Sequence, residues 1–98
     1  MRDQIISLME RHRKGNPSVA ELAKELVVSP RHLAGRCKVL FGVSPARLFL
    51  RVKLQHALDL LRSRKYRVSE VSDELGFANP YHFSRVFCRH FGSPPSRV

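Results

Sequence analysis

The chain has 98 residues, enough for one domain or two very small units and too few to wall off a deep enzyme pocket. Eighteen Lys and Arg against eight Asp and Glu leave a net charge of +10, which on so small a chain points to a polyanion, nucleic acid ahead of an anionic membrane surface. With 43% hydrophobic residues and the basic ones scattered among Leu, Val and Phe, the charge belongs to a fold and not to a disordered tail.

In chain order, Ile5, Ile6, Leu8 and Met9 form the apolar side of a first amphipathic helix, which Lys14, Gly15, Asn16 and Pro17 stop. Ser18-Val19-Ala20-Glu21 is a capping box that opens a second helix with Val19, Leu22, Ala23 and Leu26 on one face. Ser29-Pro30 supplies a cap followed by Pro at the first helical position; Leu33, Cys37, Leu40 and Phe41 mark the buried stripe of a third helix that ends at Gly42. Ser44-Pro45 repeats the signal and starts the longest helix, running to about Arg64 with Leu48, Val52, Leu54, Ala57, Leu58, Leu60 and Leu61 inward.

Beyond it the chain repeats itself. Val68, Val71, Ser72, Leu75 and Phe77 reproduce Val19, Leu22, Ala23, Leu26 and Val28 at an offset of 49, and Phe83, Phe87, Phe91 and Gly92 reproduce Leu33, Cys37, Phe41 and Gly42 at an offset of 50. The expected architecture is all-α: two helix-turn-helix subdomains, the second with one extra residue in its turn, joined by a long connector helix. The expected segments are residues 1–43, 44–65 and 66–98. Arg67 stands where Ser18 caps the first copy, so the fifth helix should start less firmly.

A duplicated helix pair could be an inert bundle. Against that, a short helix, tight turn and second helix is the shape that carries its second helix into a DNA major groove, and the second helix of each unit is the more basic. A connector of about 20 residues is roughly 30 Å long, close to the roughly 34 Å between successive major-groove openings.

The string S-P-R-H-L at 29–33, the F-G-V-S-P at 41–45, and the run G-F-x-N-x-x-H-F-S-R-x-F-x-x-x-F-G-x-x-P from Gly76 resemble the AraC/XylS family of bacterial transcription regulators, from about Ser18 to Pro95. The resemblance implies a homeodomain-like, AraC-type domain that binds two adjacent major grooves of double-stranded DNA and contacts RNA polymerase. It also implies an effector ligand or dimerisation handled by a separate N-terminal domain, to which nothing here is similar. The family continues past a Tyr-Arg pair into a short final helix, so an excised domain is expected. Gly35 replaces a usual Arg and Cys37 a usual Phe, which lowers the expected strength of the first unit.

Helix phase selects the readers. If Leu33, Cys37 and Phe41 face inward, Arg31, Ala34, Gly35 and Lys38 face out; around Phe83, Phe87 and Phe91 the outward set is Tyr81, Ser84, Arg85 and Cys88, with His82 and Arg89 flanking. Recognition helices use their N-terminal residues on bases, so base contacts are expected from Arg31, Ala34, Gly35, Tyr81, His82 and Arg85. Ser29, Arg36, Lys38, Asn79 and Arg89 are placed for phosphates.

Other classes fare less well. No acid, base and nucleophile converge, the five His form no ligand pair, and Cys37 and Cys88 form neither a C-x-x-C nor a disulfide framework; no enzyme activity, metal or cofactor is expected. A methyl-accepting cysteine would need a metal-activated thiolate. No apolar run approaches eighteen residues and MRDQIISLMERHRKG is no signal peptide, so neither a membrane span nor a leader is expected and the chain reads as cytoplasmic. A nonspecific nucleic-acid or anionic-membrane-binding basic module remains the alternative.

Overall fold

A computed structural model describes all 98 residues as six α-helices and a closing 3-10 turn, without a strand. The helices are α1 (Arg2–Arg11), α2 (Val19–Glu25), α3 (Pro30–Phe41), α4 (Pro45–Arg62), α5 (Val68–Glu74) and α6 (Pro80–Phe91); Pro95–Arg97 form the turn. The observed bounds keep the repeat to the residue: α5 begins and ends 49 residues after α2, α6 begins and ends 50 after α3. The extra residue falls between α5 and α6.

Two compact units result, Met1–Val52 and Lys53–Val98, so the division falls inside α4. In the first unit, Ile5, Leu8 and Met9 of α1 close over Leu22 and Ala23 of α2, Leu33 and Cys37 of α3, and Leu48, Phe49 and Val52 of α4. Leu40 and Phe41, expected within the buried stripe, are only partly covered. The Arg2 guanidinium donates to the Leu40 carbonyl at 3.1 Å and lies 4.8 Å from the centre of the Phe41 ring, tying the start of α1 to the end of α3.

The second unit has the later half of α4 in the place of α1: Leu54, Ala57 and Leu58 follow Ile5, Leu8 and Met9 at the same offset of 49. Its core is Leu54, Ala57 and Leu61 of α4 with Val71, Leu75, Phe83 and Phe87, flanked by Phe77, Val86, Phe91 and Val98. Phe77, Phe83, Phe87 and Phe91 form a row of tilted and edge-on rings with centroids 5.0, 5.7 and 4.5 Å apart, geometry that adds to simple area burial.

Local chemistry explains the helix ends. The Ser18 hydroxyl accepts from the Glu21 N–H at 3.1 Å while the Glu21 carboxylate receives the Ser18 N–H, the reciprocal box expected from the sequence. At Arg67 half of that box survives: Glu70 accepts from the Arg67 N–H at 2.9 Å, but a guanidinium has no acceptor to return to the Glu70 N–H. Both α3 and α6 leave through a left-handed glycine, Gly42 at φ 74° and Gly92 at φ 84°, whose N–H closes on Lys38 and Cys88 carbonyls. α4 stops at Arg62, short of the expected Arg64, because the Ser63 hydroxyl takes the Leu60 carbonyl at 2.6 Å and Arg64 turns left-handed at φ 63°.

Candidate nucleic-acid interface

α3 and α6 start in the same way. Ser29 Oγ accepts from the His32 N–H at 3.0 Å and Asn79 Oδ1 from the His82 N–H at 2.7 Å, with Pro30 and Pro80 in the first turn. Each cap leaves a donor over, the Ser29 hydroxyl proton and the Asn79 amide NH2, at the rim where the reading face begins. Leu33 and Cys37, and likewise Phe83 and Phe87, are buried, which turns the opposite stripes outward.

The expected base readers of the first unit, Arg31, Ala34 and Gly35, are all exposed, as are Ser29 and Lys38; Arg36 is half-buried. Around Gly35 a Cβ would meet no heavy atom within 4 Å, so the middle of the stripe is bare. In the second unit Tyr81, His82, Arg85, Asn79 and Arg89 are exposed, Tyr81 to 74%, while Ser84 and Cys88 are half-buried. The Arg85 guanidinium lies 5.9 Å from the Tyr81 ring centre, one helical turn apart. His82 is tilted against Phe77 at 6.0 Å, so its ring has a backing that no residue of the first stripe has been given.

Neither α3 nor α6 contains an Asp or Glu; all eight acids stand on α1, α2, α4 and α5. The outward stripes of α3 and α6 are thus purely cationic or neutral, which suits a partner lined with phosphate.

Sequence reasoning missed two features of this region. Lys53, read only as part of a helical stretch, is buried at 3% exposure, with its ammonium donating to the Leu75 carbonyl at 2.7 Å; desolvation pushes its pKa down. Val27, in the first turn, is left-handed at φ 58° and 90% exposed. Cys37 is buried and burial pushes its thiol pKa up, the opposite of a reactive thiolate. No three His, Cys, Asp or Glu gather as metal ligands, and no helix is long and apolar enough to cross a membrane.

Comparison with known proteins decides the family. The family of helix-turn-helix domains matches residues 22–98. The chain is similar to the transcriptional regulator CdhR of Pseudomonas aeruginosa, 34% identical over 96% of this chain and 28% of that protein, and to the transcriptional activator RhaS of Klebsiella pneumoniae, 31% identical over 98% and 34%. A solved AraC-type regulator from Chromobacterium violaceum superposes with a TM-score of 0.91 at 27% identity, covering 97% of this chain and 85% of that one. This chain belongs to the AraC-type helix-turn-helix family. The AraC-type fold also aligns with the DNA-binding domain of the transcription factor AdpA, solved with a target DNA, at a TM-score of 0.86 and 26% identity over 97% and 86%. The AraC-type relatives CdhR and RhaS are longer: this chain spans about a third of their length or less.

Proposed function

We propose that the chain binds double-stranded DNA sequence-specifically, with α3 and α6 in successive major grooves, as the DNA-binding part of a bacterial transcription regulator acting in the cytoplasm and not as an enzyme. The observation that carries this reading is the pair of acid-free helices with matching caps, exits and exposed stripes. The family and the DNA complex of AdpA support it.

Arg31 and Arg85 are the guanine readers, because a guanidinium fork fits the O6 and N7 acceptors. Tyr81 and His82 add edge contacts in the second groove; Ala34 offers at most a methyl contact and Gly35 its bare backbone. Ser29 and Asn79 use the donors left over from capping on phosphates, joined by Arg36, Lys38 and Arg89. A contact with RNA polymerase, and effector binding or dimerisation through a further domain, fit the greater length of the relatives.

Selection from random duplexes tests the reading, with wild type compared against Arg31→Ala, Arg85→Ala and Lys38→Ala. The expected profile has two unequal segments about ten base pairs apart. Arg85→Ala should weaken the preferred site by about 1–3 kcal/mol and relax the richer segment, Arg31→Ala the poorer one, and Lys38→Ala all sequences alike. Affinity should fall steeply with salt; a flat dependence, or a profile without preference, overturns sequence-specific binding in favour of a basic module of another kind.

A further inference from the structure

Lysine seldom sits in a core, because its ammonium surrenders its hydration there. Lys53 does so at 3% exposure, midway along α4. Its Nζ donates to the carbonyl of Leu75, the residue that caps the end of α5, and lies 5.5 Å from the centre of the Phe77 ring in the turn. Phe77 in turn packs 5.0 Å from Phe83 and 6.0 Å from His82, both in the first turn of the reading helix. A Leu or Met would fill the same space with no desolvation cost, so the charge must be held by what it bonds. The carbonyl at a helix end is an acceptor without an intrahelical donor, and a charge-assisted bond to it is stronger and more directional than packing.

We propose that Lys53 is a positioning residue: by pinning the end of α5 and the Phe77 ring, it sets where His82 and the first turn of α6 stand, and so the base preference of the second unit. The proposal rests on α6 being the DNA-facing helix.

Three measurements test it on the whole chain. In the wild type, the Lys53 side-chain ammonium should give a slowly exchanging 1H–15N signal near neutral pH with a cross-peak to the Phe77 ring; failure to see either while the chain is folded overturns the proposal. In Lys53→Met, the His82 ring resonances should move while those of His12 and His32 in the first unit stay; unmoved His82 overturns it. In duplex selection, Lys53→Met should lose at least half the information in the segment assigned to α6, keep the segment assigned to α3, and keep the salt slope; equal loss from both segments would mean a merely structural lysine. Should Lys53→Met fail to fold, Phe77→Leu keeps the ammonium bond and removes the ring, and should move the same resonances and the same base pairs. If the wild type selects no duplex, the reading of function fails, while the ammonium and His82 signals still decide the positioning role.

Discussion

The turns of the two units make the same bend from different residues. In the first, Val27 occupies the left-handed region at φ 58°; in the second, 49 positions on, Gly76 occupies it at φ 73°. A β-branched residue there costs about 1–2 kcal/mol that glycine does not incur. Behind the turns the contrast continues. The second reading helix supplies three of a row of four phenylalanines, whereas the first supplies Leu33 and Cys37 to its core, with Arg2 clasping its far end. One backbone motif is therefore held in two ways, by aromatic bulk and a permissive turn in one copy and by smaller side chains with the Arg2 clasp in the other.

That contrast can be broken most severely at Phe83. Phe83→Ala should destabilise the chain by about 3–5 kcal/mol in urea unfolding, and Cys37→Ala by much less, since a ring leaves in one case and a single sulfur in the other; comparable losses would mean that the aromatic row does not dominate its core. Exchanging the turn residues comes next. Gly76→Val should cost about 1–2 kcal/mol, while Val27→Gly should gain about 1 kcal/mol, strain relief partly offset by the freer unfolded chain. The urea midpoints should move in opposite directions, and movement in the same direction would contradict the pairing of the two positions.

Smaller effects sharpen the comparison. Ser72, the counterpart of Ala23, is fully buried with its hydroxyl unpartnered. Ser72→Ala should raise stability by about 1 kcal/mol because an unmet buried hydroxyl disappears. Gly35→Ala should also gain about 1 kcal/mol, in the other unit, since Ala favours the helix and the space is open. Both are read as rises in the urea midpoint, and a fall in either would show a neighbour that the packing does not account for.

The smallest expected effect is in alkaline solution. The raised Cys37 pKa means that the folded state keeps a proton the unfolded state sheds, so stability present below the ordinary thiol range is lost as pH climbs through it. The lowered Lys53 pKa has the opposite sign: the folded state holds the proton less well, and the handicap fades as pH rises toward the ordinary ammonium range. Between about pH 8 and 10, Cys37→Ala should tilt the stability curve upward and Lys53→Met should tilt it downward relative to wild type. Matching tilts in urea midpoints would refute the assignment.

Much of this was legible in the sequence because it is written in local chemistry. Ser29-Pro30 and Asn79-Pro80 open helices, Gly42 and Gly92 close them, and the shift in offset from 49 to 50 located the extra turn residue. The outward stripes followed from helix phase once Leu33 and Phe83 were taken as core. What stayed hidden depends on contacts between distant residues or on a backbone state with no fixed residue code. Nothing in Leu26-Val27-Val28 announces a left-handed valine. Lys53 reads as one more surface cation until α4 places it against the end of α5. Glu70 keeps the other half of the capping box at Arg67, visible only once the carboxylate is seen to reach back. The sequence also concealed that Leu40 and Phe41 close their core incompletely, since periodicity gives direction and not depth.

The equal length and equal ends of α3 and α6 make their outward positions interchangeable addresses. Position 35 corresponds to 85, so the site that holds Arg in one copy is vacant in the other, with room for a side chain. With Arg31 as its one long side chain for bases, the first helix is on the proposed reading a half-written line of a two-line message. A single codon change, Gly35→Arg, would write into it the side chain that the second copy carries there, so that, if α3 and α6 read bases as proposed, a regulator built on this chain would acquire a longer operator without any change of fold.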